Sequence, residues 1–445
     1  MRTVMRGVAA AGLAGAMLVV APAAHAASGC EVMTMRQPAN AQYGTVMDIE
    51  QVPGVGTVYY GSFELVEGDG SWGRHPVVWY GLDGEPVRVG PTDMVDGVAF
   101  ELTPTGLING QGFDASGRER AWVQSLRSGR ITWVETEQEA AGIGVRRIND
   151  RGDAVGTVWT SDLEAEARVW SPRLDRPGTA LPNDSAFPYA EGWDITNDLR
   201  VAGATSLELP DLEAVVPWGA IWSRRGEVTH VASNPGVEAD TYVRLLDERG
   251  EAAGVAWFGD WFGGHYEAAR WPSPTTIESL GLLPGGGFSA VYGQSEGGWV
   301  VGLADRFDPA SAGANEEGVV DHSVLWTDDS GVARVLPSPY ALEQGQEDWR
   351  DWIGGAAHGV NAALDQVGST SHTGWHVDGS PRLDPVVYTN ASACGAAVTT
   401  SHTAFWEEAA PEGAAATAGA RTAASGQQPE GYEHARAQER IARVR

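Results

Sequence analysis

Lysine is absent from this 445-residue chain: all 30 basic residues are arginine, set against 59 Asp and Glu, for a formal net charge of −29. A surface so poor in positive charge repels phosphate backbones and anionic lipid, which excludes nucleic acid or a membrane surface as the main partner. Cysteine is almost missing, with two in the chain, so one disulfide is the most it can form with itself. Long apolar runs are missing after the first, Val8 to Ala21, which is itself too short to cross a bilayer, so no membrane span is expected. No Gly-x-Ser-x-Gly turn, phosphate-cradling loop or paired-carboxylate signature stands out. What is abundant is Gly (58), Pro (24) and Trp (18), the composition of many short strands joined by tight turns.

The first 26 residues read as an export signal. Arg2 and Arg6 precede the apolar run, and Ala24-His25-Ala26 is a small-x-small cleavage site. Lipoprotein processing at Ala27-Ser28-Gly29-Cys30 is the competing reading, with a small Ala where an aliphatic residue is usual. In an exported protein Cys30 and Cys394 are expected to pair. Such a bond requires the two ends of the folded region to meet, as they do in a closed ring. Closing so long a loop removes unfolded-state freedom on the order of 5 kcal/mol.

A repeat supports the ring. In Ile148-Asn149-Asp150-Arg151-Gly152-Asp153-Ala154-Val155-Gly156 an aliphatic residue, a polar turn and a Gly eight positions on precede a strand ending in Trp170. The pattern returns at Leu102–Gly110 with Trp122, Ile195–Gly203 with Trp222, Leu246–Gly254 with Trp271, and Val360–Gly368 with Tyr388. Two copies are weaker: Ile49 to Gly56 with Trp79, and Gln294 to Gly302 with Trp326. The closing glycines are 46 to 66 residues apart, close to the period of propeller blades. Each unit reads as four strands; the fourth is expected at 189–196, 201–207, 218–223 and 228–232, with turns at Asn197-Asp198 and Gly226. The expected fold is therefore an all-β, seven-bladed β-propeller of four-stranded antiparallel blades over residues 27–406. It is expected as a monomer, closed near its termini by the disulfide.

Leu280-Gly281-Leu282-Leu283-Pro284-Gly285-Gly286-Gly287-Phe288-Ser289-Ala290, with Val300-Val301-Gly302 and His322-Ser323-Val324-Leu325-Trp326, resembles the HAF-type bacterial extracellular repeat. The likeness covers most of residues 45–390. It implies a secreted, propeller-like array and brings no established reaction. The family's His, four positions before Trp, survives only as His75 and His322; the other copies hold Arg118, Glu166, Trp218, Glu267 and Asp384. A packing contact accounts for such a residue better than shared chemistry does. The repeat tryptophans are expected between blades.

Links between second and third strands, and from one blade to the next, emerge on one face and are the longer class. Long loops on a rigid scaffold are where binding concentrates. Phe258, Trp261, Phe262, His265 and Tyr266 crowd Asp260; Trp349, Asp351 and Trp352 precede the seventh repeat; His372, Trp375, His376 and Asp378 lie within it. Aromatic faces beside carboxylates suit stacking on sugar rings, so the expected function is a secreted carbohydrate- or glycoconjugate-binding module. The expected ligand contacts are Trp261, Phe262, His265, Tyr266, Trp349, Trp352, His372, Trp375 and His376. A polysaccharide lyase or hydrolase on that face, and a scaffold for a secreted or envelope protein, are the alternatives; the balance leans against catalysis. No cofactor is expected. His372-x3-His376 with Asp378 and His358 is not assigned to a metal, because residues four apart on a strand sit roughly 13 Å apart. Residues 407–445 lack large apolar side chains over most of their length and are expected to be a disordered tail.

Overall fold

The computed structural model describes residues 25–402 apart from 28, 67–71, 138–139, 141, 162–163, 185–187, 210–213, 236, 238, 260–263, 312–313, 315–317, 328–331, 347, 349, 351, 353 and 377–380. Most of the expected export signal and the whole expected tail lie outside these residues. Seven antiparallel sheets follow one another along the chain. Their innermost strands are Ala41–Val52, Met94–Leu102, Gly142–Ile148, Ala190–Ile195, Thr241–Leu246, Ser289–Gln294 and Gly355–Asn361. Each packs against the next, and the seventh against the first, so the array is a closed seven-bladed propeller. Among the described residues no helix is long and apolar enough to cross a membrane.

The fourth blade shows how closely the strand pattern follows the sequence. Its strands are Ala190–Ile195, Val201–Leu209, Ala214–Trp222 and Val228–His230. The polar turn after the first strand of a blade has one chemical basis. Thr103, Asn149, Thr196, Asp247, Ser295 and Asn361 each accept, through the side chain, a backbone N–H three or four residues on. Elsewhere the strands run further than expected. Val300–Phe307 pairs with Val319–Trp326, and Gln366–Trp375 with Pro381–Thr389, so His372 and Trp375, expected on the long-loop face, lie within a strand.

The repeat glycine answers to a β-bulge. Every innermost strand leaves one residue unpaired at the same place: Met47, Phe100, Arg146, Trp193, Arg244, Tyr292 and His358. The kink presses a carbonyl onto the second strand. A β-carbon on Gly156 would overlap the Gly144 oxygen, one on Gly203 that of Glu191, and one on Gly254 that of Tyr242. This register corrects two copies of the repeat. In blade one the equivalent glycine is Gly61, under the Thr45 carbonyl, because its hairpin is longer; Gly56 opens the second strand straight after the turn, at φ +112°. In blade seven the position is Ser369, not Gly368, after a turn lengthened by the 3-10 segment Ala362–Leu364. The Ser369 hydroxyl donates to the equivalent carbonyl, Ala356 O, at 3.0 Å and so turns the clash into a bond.

Apolar side chains form slabs between blades. One holds Val58, Tyr60 and Val78 of blade one against Ala99, Leu102 and Trp122 of blade two. The six repeat tryptophans and Tyr388 are all fully buried. Trp79, Trp170, Trp222 and Trp271 donate their indole N–H to Arg36, Glu135, Pro182 and Ala232, and the Tyr388 hydroxyl donates to Pro337. Each acceptor lies on the link arriving from the preceding blade, so these groups fasten neighbouring sheets as well as filling space.

The seventh sheet is shared between the chain ends. Cys30–Thr34 pairs with Pro381–Thr389 and supplies its fourth strand. Cys30 and Cys394 are disulfide-bonded. The two ends of the folded region therefore meet at blade seven, as the expected disulfide required, and the bond fastens the strand that the N-terminal end lends to that blade. Beyond it, Ala396–Thr399 adds a fifth strand to the sixth sheet.

Gly203→Ala is expected to lower the unfolding free energy by about 1–3 kcal/mol, seen as a reduced urea midpoint. A midpoint equal to the parent's would show that the carbonyl does not press there. Cys30→Ser with Cys394→Ser should cost about 2–5 kcal/mol in the same measurement, and the non-reducing peptide map should lose one bond.

Candidate functional site: the acidic mouth of the central channel

The bulged residues form a belt around the channel. The Arg146 guanidinium lies 4.7 Å from the Phe100 ring and 5.0 Å from Trp193. That of Arg244 lies 5.4 Å from Trp193 and 5.8 Å from Tyr292. Tyr292 stacks on His358 at 5.4 Å and 12°. Six consecutive blades are joined in this way by cation–π and ring contacts, each worth roughly 0.5–2 kcal/mol. A bulge re-aims a side chain that a regular strand would direct elsewhere, and here it does so in every blade.

The residue after each bulge faces a cavity of about 690 Å³ at the mouth where the first-to-second-strand turns emerge. These residues are Asp48, Glu101, Arg147, Asp194, Leu245, Gly293 and Gly359. Blades six and seven need glycine because neighbouring backbone occupies the space: a β-carbon on Gly293 would meet His358 O, and one on Gly359 the Asp48 backbone. Met47 and His358 of the belt also line the cavity, Glu50 joins them from the end of the same strand as Asp48, and Asp150, Asp247, Glu248 and Glu296 come from the turns above. Among the described lining residues eight are carboxylates and Arg147 is the sole Arg.

Several of these charges are spoken for. Arg147 is ion-paired with Glu101. Asp194 accepts from Leu246 N at 2.8 Å, across to blade five. Asp150 accepts from the Asn197 amide at 3.0 Å, and Glu248 from Asn197 N at 2.7 Å, linking three turns. Asp247 holds its own turn and pairs with Arg249. Glu50 differs: burial, then the like charges of Asp48, Asp150 and Glu296, push its carboxyl up to about 9. Burial likewise raises Asp48 to about 6 against the pull of Arg147, and raises Asp194. Burial holds His358 down at about 4, so its imidazole is neutral at physiological pH.

This site lies on the face opposite the long loops, so sequence reasoning missed it. The expected residues are placed as follows. Trp261, Phe262 and Trp349, with Asp260, Asp351 and Asp378, lie outside the described residues. His265 is buried with Nε2 at 2.6 Å from Glu267, and buried Tyr266 donates to Asp240 at 2.8 Å. Trp352 is buried and donates to Gln346 O; His372 is buried between Tyr340 and Trp375. These four present no open ring face to a sugar in this structure. Trp375 and His376 are half-buried. Among the described residues no group of three His, Cys, Asp or Glu side chains is arranged to hold a metal ion.

No protein-family model matches the chain, and no curated protein sequence does. Solved structures do resemble it. The β-propeller domain of the Trilobed protease from Pyrococcus furiosus, described as having an open velcro topology, superposes with a TM-score of 0.50 at 10% identity, covering 82% of this chain and 97% of that one. Pyrococcus horikoshii acylaminoacyl peptidase gives 0.46 at 11% identity over 79% of this chain and 54% of its own. A Dyadobacter fermentans protein of unknown function gives 0.38 at 11% over 82% and 100%. The first of these likenesses supports the propeller fold and nothing finer.

Asp48 and Glu50 hold protons more tightly folded than unfolded. Their contribution to stability is complete below about pH 4 and is lost as pH rises through about 6 and about 9. Melting temperature should therefore fall between pH 5 and pH 9, and Glu50→Gln should flatten the alkaline part of that fall. An unchanged profile in the variant would mean that Glu50 is not a proton-holding group.

Proposed function

We propose that the protein is an exported ligand-binding propeller that takes a positively charged organic group, an ammonium or guanidinium, into the acidic mouth of its central channel. Glu50 carries this reading. It is a half-buried carboxyl that feels the like charges of Asp48, Asp150 and Glu296. A group in that position has a raised pKa until a cation arrives, and strongly perturbed carboxyls in a cavity mark binding sites. Met47 and neutral His358 provide an uncharged part of the wall for the body of the ligand. The disulfide is consistent with an oxidising compartment, and with the export signal read in residues 1–26 and the HAF-type extracellular resemblance.

A carbohydrate on the long-loop face is the second reading. Tyr340 and Trp375 favour it: two half-buried rings 6.2 Å apart at 88°. Calorimetry with putrescine, methylguanidine and neutral oligosaccharides separates the two. The first reading expects heat from the cations, weakened tenfold or more by Glu50→Gln and by added salt. Heat from an oligosaccharide alone, abolished by Trp375→Ala and untouched by Glu50→Gln, would move the site to the other face.

A further inference from the structure

Among the described residues eight carboxylates share one cavity with a single Arg, and that Arg is already paired with Glu101. Burial and like charge together disfavour ionising all of these carboxyls at once, Glu50 and Asp48 above all. Glu50 therefore keeps its proton at neutral pH, and a cation can pair with it at full strength only when that proton leaves. We infer that the channel mouth exchanges a proton for its cationic ligand, with Glu50 as the exchanging group. This rests on the cation-binding reading above. The step balances simply: the Glu50 O–H bond breaks, its proton passes to solvent, and the carboxylate left behind pairs with the incoming cation.

The groups that face this exchange come from all seven blades. Asp48 shares the strand with Glu50, and Tyr60, hydroxyl-bonded to Phe100 O, lies beneath both. Glu101 and Arg147 stand on blades two and three, with Asp150 at the turn tip. Asp194 is on blade four, Asp247 and Glu248 on blade five, Glu296 on blade six and His358 on blade seven. Asp194, Asp150, Glu248 and Asp247 have hydrogen-bond donors against them, and Glu101 has Arg147. Asp48 accepts from Ile49 N at 2.8 Å. Among the described residues Glu50 has only the Gln51 backbone N–H against it and Glu296 stands at a turn, so Glu50, set in the strand beside Asp48, is the group whose charge a ligand would balance. A second feature points the same way: Gln294 lines the cavity, and its buried Oε1 has no hydrogen-bond partner among the described residues. That is an acceptor suited to the N–H of an ammonium or guanidinium.

The physiological consequence is a binding module that loads in neutral or alkaline surroundings and unloads in acid. One proton released per ligand makes affinity climb about tenfold per pH unit while the group is protonated.

Two measurements on the full chain test this. The first needs no ligand: carbon-13 carboxyl shifts of labelled Glu are followed with pH. One Glu titrating above pH 7, and missing in Glu50→Gln, is expected; Glu carboxyls all titrating below pH 5 would overturn the inference. The second is calorimetry with putrescine, whose amines stay charged between pH 6 and pH 8, in buffers of different ionisation enthalpy. About one proton released per ligand, with affinity rising about tenfold per pH unit, is expected. Putrescine binding with buffer-independent heat and flat affinity would sink the exchange while leaving the site reading intact. No putrescine binding at any pH would remove both.

Discussion

The close approach between a bulged inner strand and the strand beside it is the constraint on which the rest of this molecule depends. The carbonyl pressed outward by the bulge leaves no room for a β-carbon on its neighbour, which is why Gly110, Gly156, Gly203, Gly254 and Gly302 recur. In exchange the bulge turns one large side chain per blade into the belt and sets the following residue at the cavity wall. Packing and site geometry therefore have the same origin. A blade without the bulge would lose its belt residue and shift the residue behind it to the opposite side of the strand.

The repeat glycine and tryptophan were legible because each answers to one fixed steric or hydrogen-bonding demand, so few residue types satisfy it. Where a different solution exists the pattern breaks, as at Ser369, whose hydroxyl bonds the carbonyl that glycine avoids. Blade one was misread for a related reason. Its hairpin is longer, so Gly61 stands twelve residues after Ile49, against eight from Ile148 to Gly156. A fixed spacing finds the glycine beside the turn first.

The belt and the acidic mouth were not legible. Met, Phe, Arg, Trp, Arg, Tyr and His at the bulges share no residue type, and a bulge leaves no signature in hydrophobic alternation. The mouth is assembled from residues as far apart as Asp48 and His358, each unexceptional in its own segment. Loop length was a poor guide because strands such as Gln366–Trp375 extended into the loops. The aromatic residues described there, Tyr266 and Trp352 among them, folded inward. Charge was the usable clue: an excess of 29 negative charges must be accommodated somewhere, and short turns rich in Asp and Glu around an axis accommodate part of it.

The shared seventh sheet sets an order of events for a newly made chain. The strand at Cys30–Thr34 has its partner more than three hundred residues downstream, with 364 positions separating the two sulfurs. During synthesis the early strand must wait, unmated, while six blades accumulate between it and its complement. Annealing of the seam is thus the final topological event, and an arrested or truncated chain is left as an arc with two exposed ends.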